Sequence, residues 1–140
     1  MTSLHVRQLS ESEIAQITTN IDIATNQNLT DSVESIDLAA RNLRQAQPAD
    51  LESQLQVLGA ALGAIISAQT QMQWAAVTDG IESAIVLIGT VGENTVVVYP
   101  FDVVERRWNL DEPKVFTQYV SDVLDSIRVS QNAAESPESE

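Results

Sequence analysis

The 140-residue chain has no cysteine and a single histidine, His5. Without thiols it forms neither a disulfide framework nor a thiolate metal site. One imidazole leaves no histidine metal cluster and no Ser-His-Asp or Cys-His constellation to build. Positive charge is scarce as well: seven Lys and Arg stand against twenty Asp and Glu, for a net charge of −13 and a pI near 4.2. Nucleic acid binding and anionic membrane surfaces both need cations to meet phosphate, so both are disfavoured. A basic protein partner is favoured by the same charge, because complementary fields speed encounter. No GxxxxGK[ST] or GxGxxG phosphate cradle occurs, nor a twelve-residue calcium loop, and no cofactor is expected. The longest apolar run, "VLGAALGAIISA" from Val57, falls short of the roughly 20 residues a bilayer requires. The start "MTSLHVRQLSESE" has no basic segment leading into an apolar one, so a cytoplasmic location is the expectation.

Aromatic residues are few, and all six lie at position 74 or later. With 44% apolar and 19% charged residues, the composition is that of a folded domain, expected over residues 1–130. A small, polar, acidic tail over 131–140 is expected to be disordered. The aromatic asymmetry suggests a helical first half and a sheet-bearing second half, an α+β fold.

The periodicity predicts three N-terminal helices, at about 10–28, 31–46 and 49–69. Ser10 and Glu13 form a capping box ahead of Ile14, Ile17, Ile21 and Ala24 at 3-4-3 spacing. Thr30 or Asp31 is available to cap a second stripe of Val33, Ile36, Ala40 and Leu43. Pro48 suits the first turn of a third helix, carrying the strongest stripe: Leu51, Leu55, Leu58, Leu62, Ile65 and Ile66. Gly59 and Gly63 share a face there, a spacing that lets another element approach closely. From Gln73 the period changes to that of strands. Two hairpins, at Thr78-Asp79-Gly80 and across residues 89–94, predict a three-stranded antiparallel meander over about 72–78, 81–89 and 95–100. Pro100 reads as a strand terminator. A last helix is expected over about 112–129, with Asp111 or Glu112 at its positive end and Pro113 in its first turn.

No acid–base pair stands out among the carboxylates. Asp79 and Glu82 flank one turn; Asp102 and Glu105 follow Pro100. An enzyme built on these acids would need a deep pocket that raises their pKa values, and none is signalled. Nearly a third of the positive charge sits at Arg106 and Arg107, beside Trp108. Two readings stay open. One arginine pairs with a carboxylate and the other stacks on an aromatic ring, closing the join between sheet and last helix. Alternatively the pair, with Trp108, anchors a partner's carboxylates or a phosphate.

Leu58-Gly59, Leu62-Gly63, Trp74, Asp79-Gly80, Pro100 and Arg106-Arg107, spanning about residues 58–107, resemble an uncharacterised bacterial domain-of-unknown-function family. The helices before Pro48 are not part of that resemblance. Small proteins of this kind are similar to immunity proteins encoded beside bacterial toxins. The resemblance implies a non-enzymatic cytoplasmic inhibitor that binds a basic cognate toxin or effector and occludes its active site. Its partner-binding residues would be Asp79, Glu82, Glu93, Arg106, Arg107 and Trp108, with no metal, and the protein a monomer or homodimer. The alternative is an acidic secretion-effector chaperone.

Overall fold

The computed structural model describes residues 5–78, 83–91, 94–110 and 112–135. Among these, five helices and a four-stranded antiparallel sheet follow in the order β1 (His5–Arg7), α1 (Glu11–Asn26), α2 (Val33–Ala46), α3 (Leu51–Gln69), β2 (Gln73–Thr78), β3 (Ser83–Val91), β4 (Asn94–Val98), α4 (Pro100–Arg107) and α5 (Val115–Glu135). The strands lie side by side in chain order. The α+β class and the meander are as the pattern predicts, but two elements are additional. β1 pairs with β2 through His5 opposite Thr78 and Arg7 opposite Ala76. Three residues are too few for an alternation to register, so the strand depends on its neighbour. α4 replaces the expected connection after the third strand. Pro100 opens it at the first helical position, where the missing N–H costs nothing, rather than only ending β4.

The helix starts follow side-chain chemistry. Ser10 Oγ accepts from Glu13 N at 3.2 Å and Ser10 N donates to Glu13 Oε1 at 2.9 Å, closing the predicted capping box. Arg7 donates to both oxygens of the same carboxylate, at 2.8 and 2.9 Å, tying β1 to α1. α2 is capped by Ser32, which accepts from Ser35 N at 3.4 Å, rather than by Thr30 or Asp31. Before it the chain turns through Asn28, at φ 63°, and buries Leu29. α3 starts at Leu51, after Asp50, so Pro48 precedes the helix instead of sitting in its first turn. α5 starts at Val115, beyond Pro113, and runs to Glu135, into the segment expected as tail.

α3 is long and apolar enough by composition to pass for a membrane span. Here it is the central slab of the fold, with Val57 to Gly63, Ile65 and Ile66 buried. Its two glycines do what their spacing predicts. A Cβ at Gly59 would overlap the ring of Phe101, and one at Gly63 would overlap Trp74 and crowd Pro100. α4 and the sheet therefore approach α3 closely, with Trp74 and Phe101 stacked at a tilt, centroids 5.9 Å apart. The main core joins α2, α3, α4 and α5 to the sheet face carrying Trp74, Leu87, Val96 and Val98. The opposite sheet face carries a second apolar cluster, Ala75, Val77 and Val86, flanked by Ala84, Ile88, Val97 and Tyr99. "AIVLIG" is thus apolar on both faces, as expected of a central strand.

Two outcomes follow. Gly63→Val overfills the contact with Trp74 and should cost about 1–3 kcal/mol in urea unfolding; a variant as stable as the parent would refute the close approach. The Arg7 guanidinium, then the Ser10 amide, hold the Glu13 carboxyl down to about 2 from its ordinary 4.5. A depressed acid stabilises the fold above its unfolded pKa, and that contribution fades as pH falls from about 4.5 toward 2. Protection of the Ser10–Glu13 amides, taken relative to their intrinsic exchange rates, should fall across that window, and Glu13→Gln should flatten the response.

Candidate functional site

The second helix organises the region holding the paired arginines. Asp37 falls one turn after Val33 and three residues before Ala40, which puts an acid in the buried stripe of α2. Its Oδ1 accepts from Phe116 N at 2.7 Å; its Oδ2 accepts from Thr117 N at 3.2 Å and from the Thr117 hydroxyl at 2.5 Å. Those amides belong to the first turn of α5, whose N–H groups have no partner within the helix. A carboxylate from a helix 79 residues away thus caps α5 and meets the positive end of its dipole. The acid at this helix start is Asp37 and not the expected Asp111 or Glu112; Asp111 lies outside the described residues.

Two turns further along α2, Arg44 Nη1 donates to the Trp108 carbonyl at 2.6 Å. Trp108 directly follows α4, so the guanidinium closes a helix C-terminus, where a cation is favoured. α2 thereby holds both ends of the α4–α5 connection with opposite charges. Neither Asp37 nor Arg44 is among the residues singled out from the pattern. The signal was an acid and an arginine seven residues apart on an otherwise apolar helical stripe.

Arg106 and Arg107 divide as the first reading predicts. Arg106 Nε bonds Asp102 Oδ2 at 2.9 Å, one turn back on α4, with its side chain 77% exposed. The Arg107 guanidinium lies over the Tyr119 ring, 5.0 Å from its centre, linking α4 to α5. Burial raises the Tyr119 phenol above its ordinary value; Arg107 opposes that rise and Asp102 adds to it. Trp108 is half-buried at the edge of the main core, and Leu110 is 43% exposed beside it. These three sequence-selected residues therefore come together at the C-terminal end of α4.

Asp79, Glu82 and Glu93 lie outside the described residues. Thr78 pairs with Ser83 at one end of β3 and Val91 with Asn94 at the other.

Two open clefts lie away from the α4–α5 connection. The larger, about 1150 Å³, lies where α3 meets the sheet and is lined by Thr70, Gln71, Gln73, Thr90, Thr95 and Arg128 among others. A groove of about 640 Å³ runs between α1 and the sheet. Among the described residues no three His, Asp or Glu side chains gather as metal ligands.

Asp37→Ala would strip three donors of their acceptor and should cost about 2–4 kcal/mol in chemical denaturation. Asp37→Asn, which keeps one acceptor oxygen, should cost distinctly less. Equal stability of the two variants would contradict the capping role.

A family model matches residues 35–119 and carries the description Domain of unknown function (DUF3806). No curated protein and no solved structure matches the chain. The match opens two residues before Asp37 and ends at Tyr119, so it takes in both partners of each cross-tie just described. It reaches well beyond residues 58–107, and α2, which the resemblance left out, falls inside it. Covering more than half of the chain, this match makes the protein a member of the DUF3806 family.

Proposed function

We propose that the protein is a cytoplasmic binding protein of immunity type, which neutralises a basic bacterial toxin by covering its active site. The observation that carries this reading is where the acids sit. Asp37 is the one charged residue buried among those described, and its carboxylate is already occupied by the start of α5. The other acids whose exposure is described face solvent wholly or in part, where they act as a field on a macromolecule rather than as poised proton donors. The acids Asp79, Glu82 and Glu93 would meet the partner's basic cleft. Arg106, Arg107 and Trp108, together at the C-terminal end of α4, would supply a further contact.

A second reading, an acidic secretion-effector chaperone, is favoured by one specific observation: Ile14 on α1 stays 51% exposed, so part of the helix stripe is uncovered. A chaperone holds an extended segment of its partner; an inhibitor covers a folded domain.

The test co-expresses the chain with a basic protein encoded beside it and follows association by stopped flow. The association rate should fall at least about tenfold as salt rises from about 0.05 to 0.5 M. Charge reversal at Asp79, Glu82 and Glu93 should slow it further. A rate indifferent to both salt and charge reversal, or a bound partner that keeps its activity, would overturn the inhibitor reading.

A further inference from the structure

The groove between α1 and the sheet has a chemistry of its own. Val6, Ile14, Ile17, Ile21, Trp74 and Ile88 line it. Ile14, Ile17 and Ile21 recur at 3-4 spacing, so one helix face forms a whole wall. Val6 and Ile14 are 55% and 51% exposed, the largest values among the described large apolar side chains apart from Leu38. Its volume, about 640 Å³, lies in the range that encloses a few large apolar side chains.

The charge around this apolar floor has one sign. α1 carries Glu11, Glu13 and Asp22 and no basic residue. The groove's single cation, Arg7, is held by both oxygens of Glu13. A second copy of the chain would bring another −13 to the same place, so self-association is opposed. The complementary occupant has apolar residues on one side and lysines or arginines flanking them. We infer that this groove binds a cationic amphipathic segment, docked as a helix with its apolar anchors between α1 and the sheet and its cations toward Glu11 and Asp22. The inference deepens the segment-holding reading given above and rests on it.

The probe is a synthetic helix-forming peptide of leucine and lysine, about 18 residues long, with leucines at i, i+3, i+4 and i+7. Its glutamate counterpart and a sequence-scrambled version serve as controls, all titrated calorimetrically into the full chain. Saturable 1:1 binding of the lysine peptide is expected, weakened by salt. Val6→Asn and Ile14→Asn remove no charge and should each weaken it at least about tenfold. Leu38→Asn and Leu110→Asn, equally exposed leucines elsewhere, should leave it unchanged. Both groove positions are more than half exposed, so the fold should survive, as circular dichroism would check; each variant is read by itself. Undiminished binding to both folded groove variants would mean adsorption to an acidic surface and would overturn the inference. So would equal binding of the glutamate peptide. A dimer of the chain alone that these substitutions dissociate would also overturn it, with a second copy as the occupant. The groove variants keep Asp79, Glu82 and Glu93, so failure of the toxin contact and failure of the groove give distinct results.

Discussion

A carboxylate buried in a low-dielectric core is tolerated only where donors replace the water it has lost. Asp37 meets that condition with three donors, all from the first turn of α5. The requirement works in both directions. The start of α5 needs an acceptor, and α2 cannot turn or slide without stranding its acid. Arg44 sets the complementary condition at the end of α4. Between them the two side chains fix where one helix stops and the next begins. The positions of Arg107 over Tyr119 and of Trp108 at the core edge follow from that.

Close packing on α3 is the other half of the arrangement. α4 has only eight residues, too short to persist unaided in water. It forms because the missing side chains at Gly59 and Gly63 allow Phe101, Pro100 and Trp74 into van der Waals contact with the helix backbone. Each glycine weakens α3 by up to about 1 kcal/mol of intrinsic propensity. Burying two large aromatic rings returns more than that, at about 25 cal/mol per Å² of apolar area removed from water.

This balance explains what could be read along the chain. The capping box at Ser10 and Glu13, the glycine pair and the strands of the meander depend on neighbours a few residues away or on a periodicity, and so are visible locally. The pattern leaves two readings of Arg106 and Arg107 open, and only the fold brings Arg107 to Tyr119. β1 and α4 are not visible locally, because each is held by a partner distant in sequence: three residues by the edge of β2, and two helical turns by the glycine face of α3. Asp37 is the clearest case. In isolation it is an acid interrupting an apolar stripe, and only the folded chain shows the amides it serves, 79 and 80 residues onward. For the same reason the domain reaches back to residue 35, while a resemblance built on local motifs starts at Leu58.

The allocation of the few cations completes the argument. Arg7 is engaged by Glu13, Arg44 by a backbone carbonyl, Arg106 by Asp102, Arg107 by an aromatic ring and Arg128 by Asp125. Five of the seven positive side chains are thus engaged within the molecule, most of them joining one element or turn to another. Exposed ion pairs contribute little to stability individually, a few tenths of a kcal/mol to about 1. Each of the three ion pairs neutralises one acid, and the acids in excess set the sign of the surface field. A chain that placed its arginines freely among its carboxylates would present a mixed and weakly directed field. Here cations serve mainly to fix geometry and anions mainly to face solvent, and the resulting field of one sign, over an apolar groove and a half-buried tryptophan, is the surface that the proposed basic partner would meet.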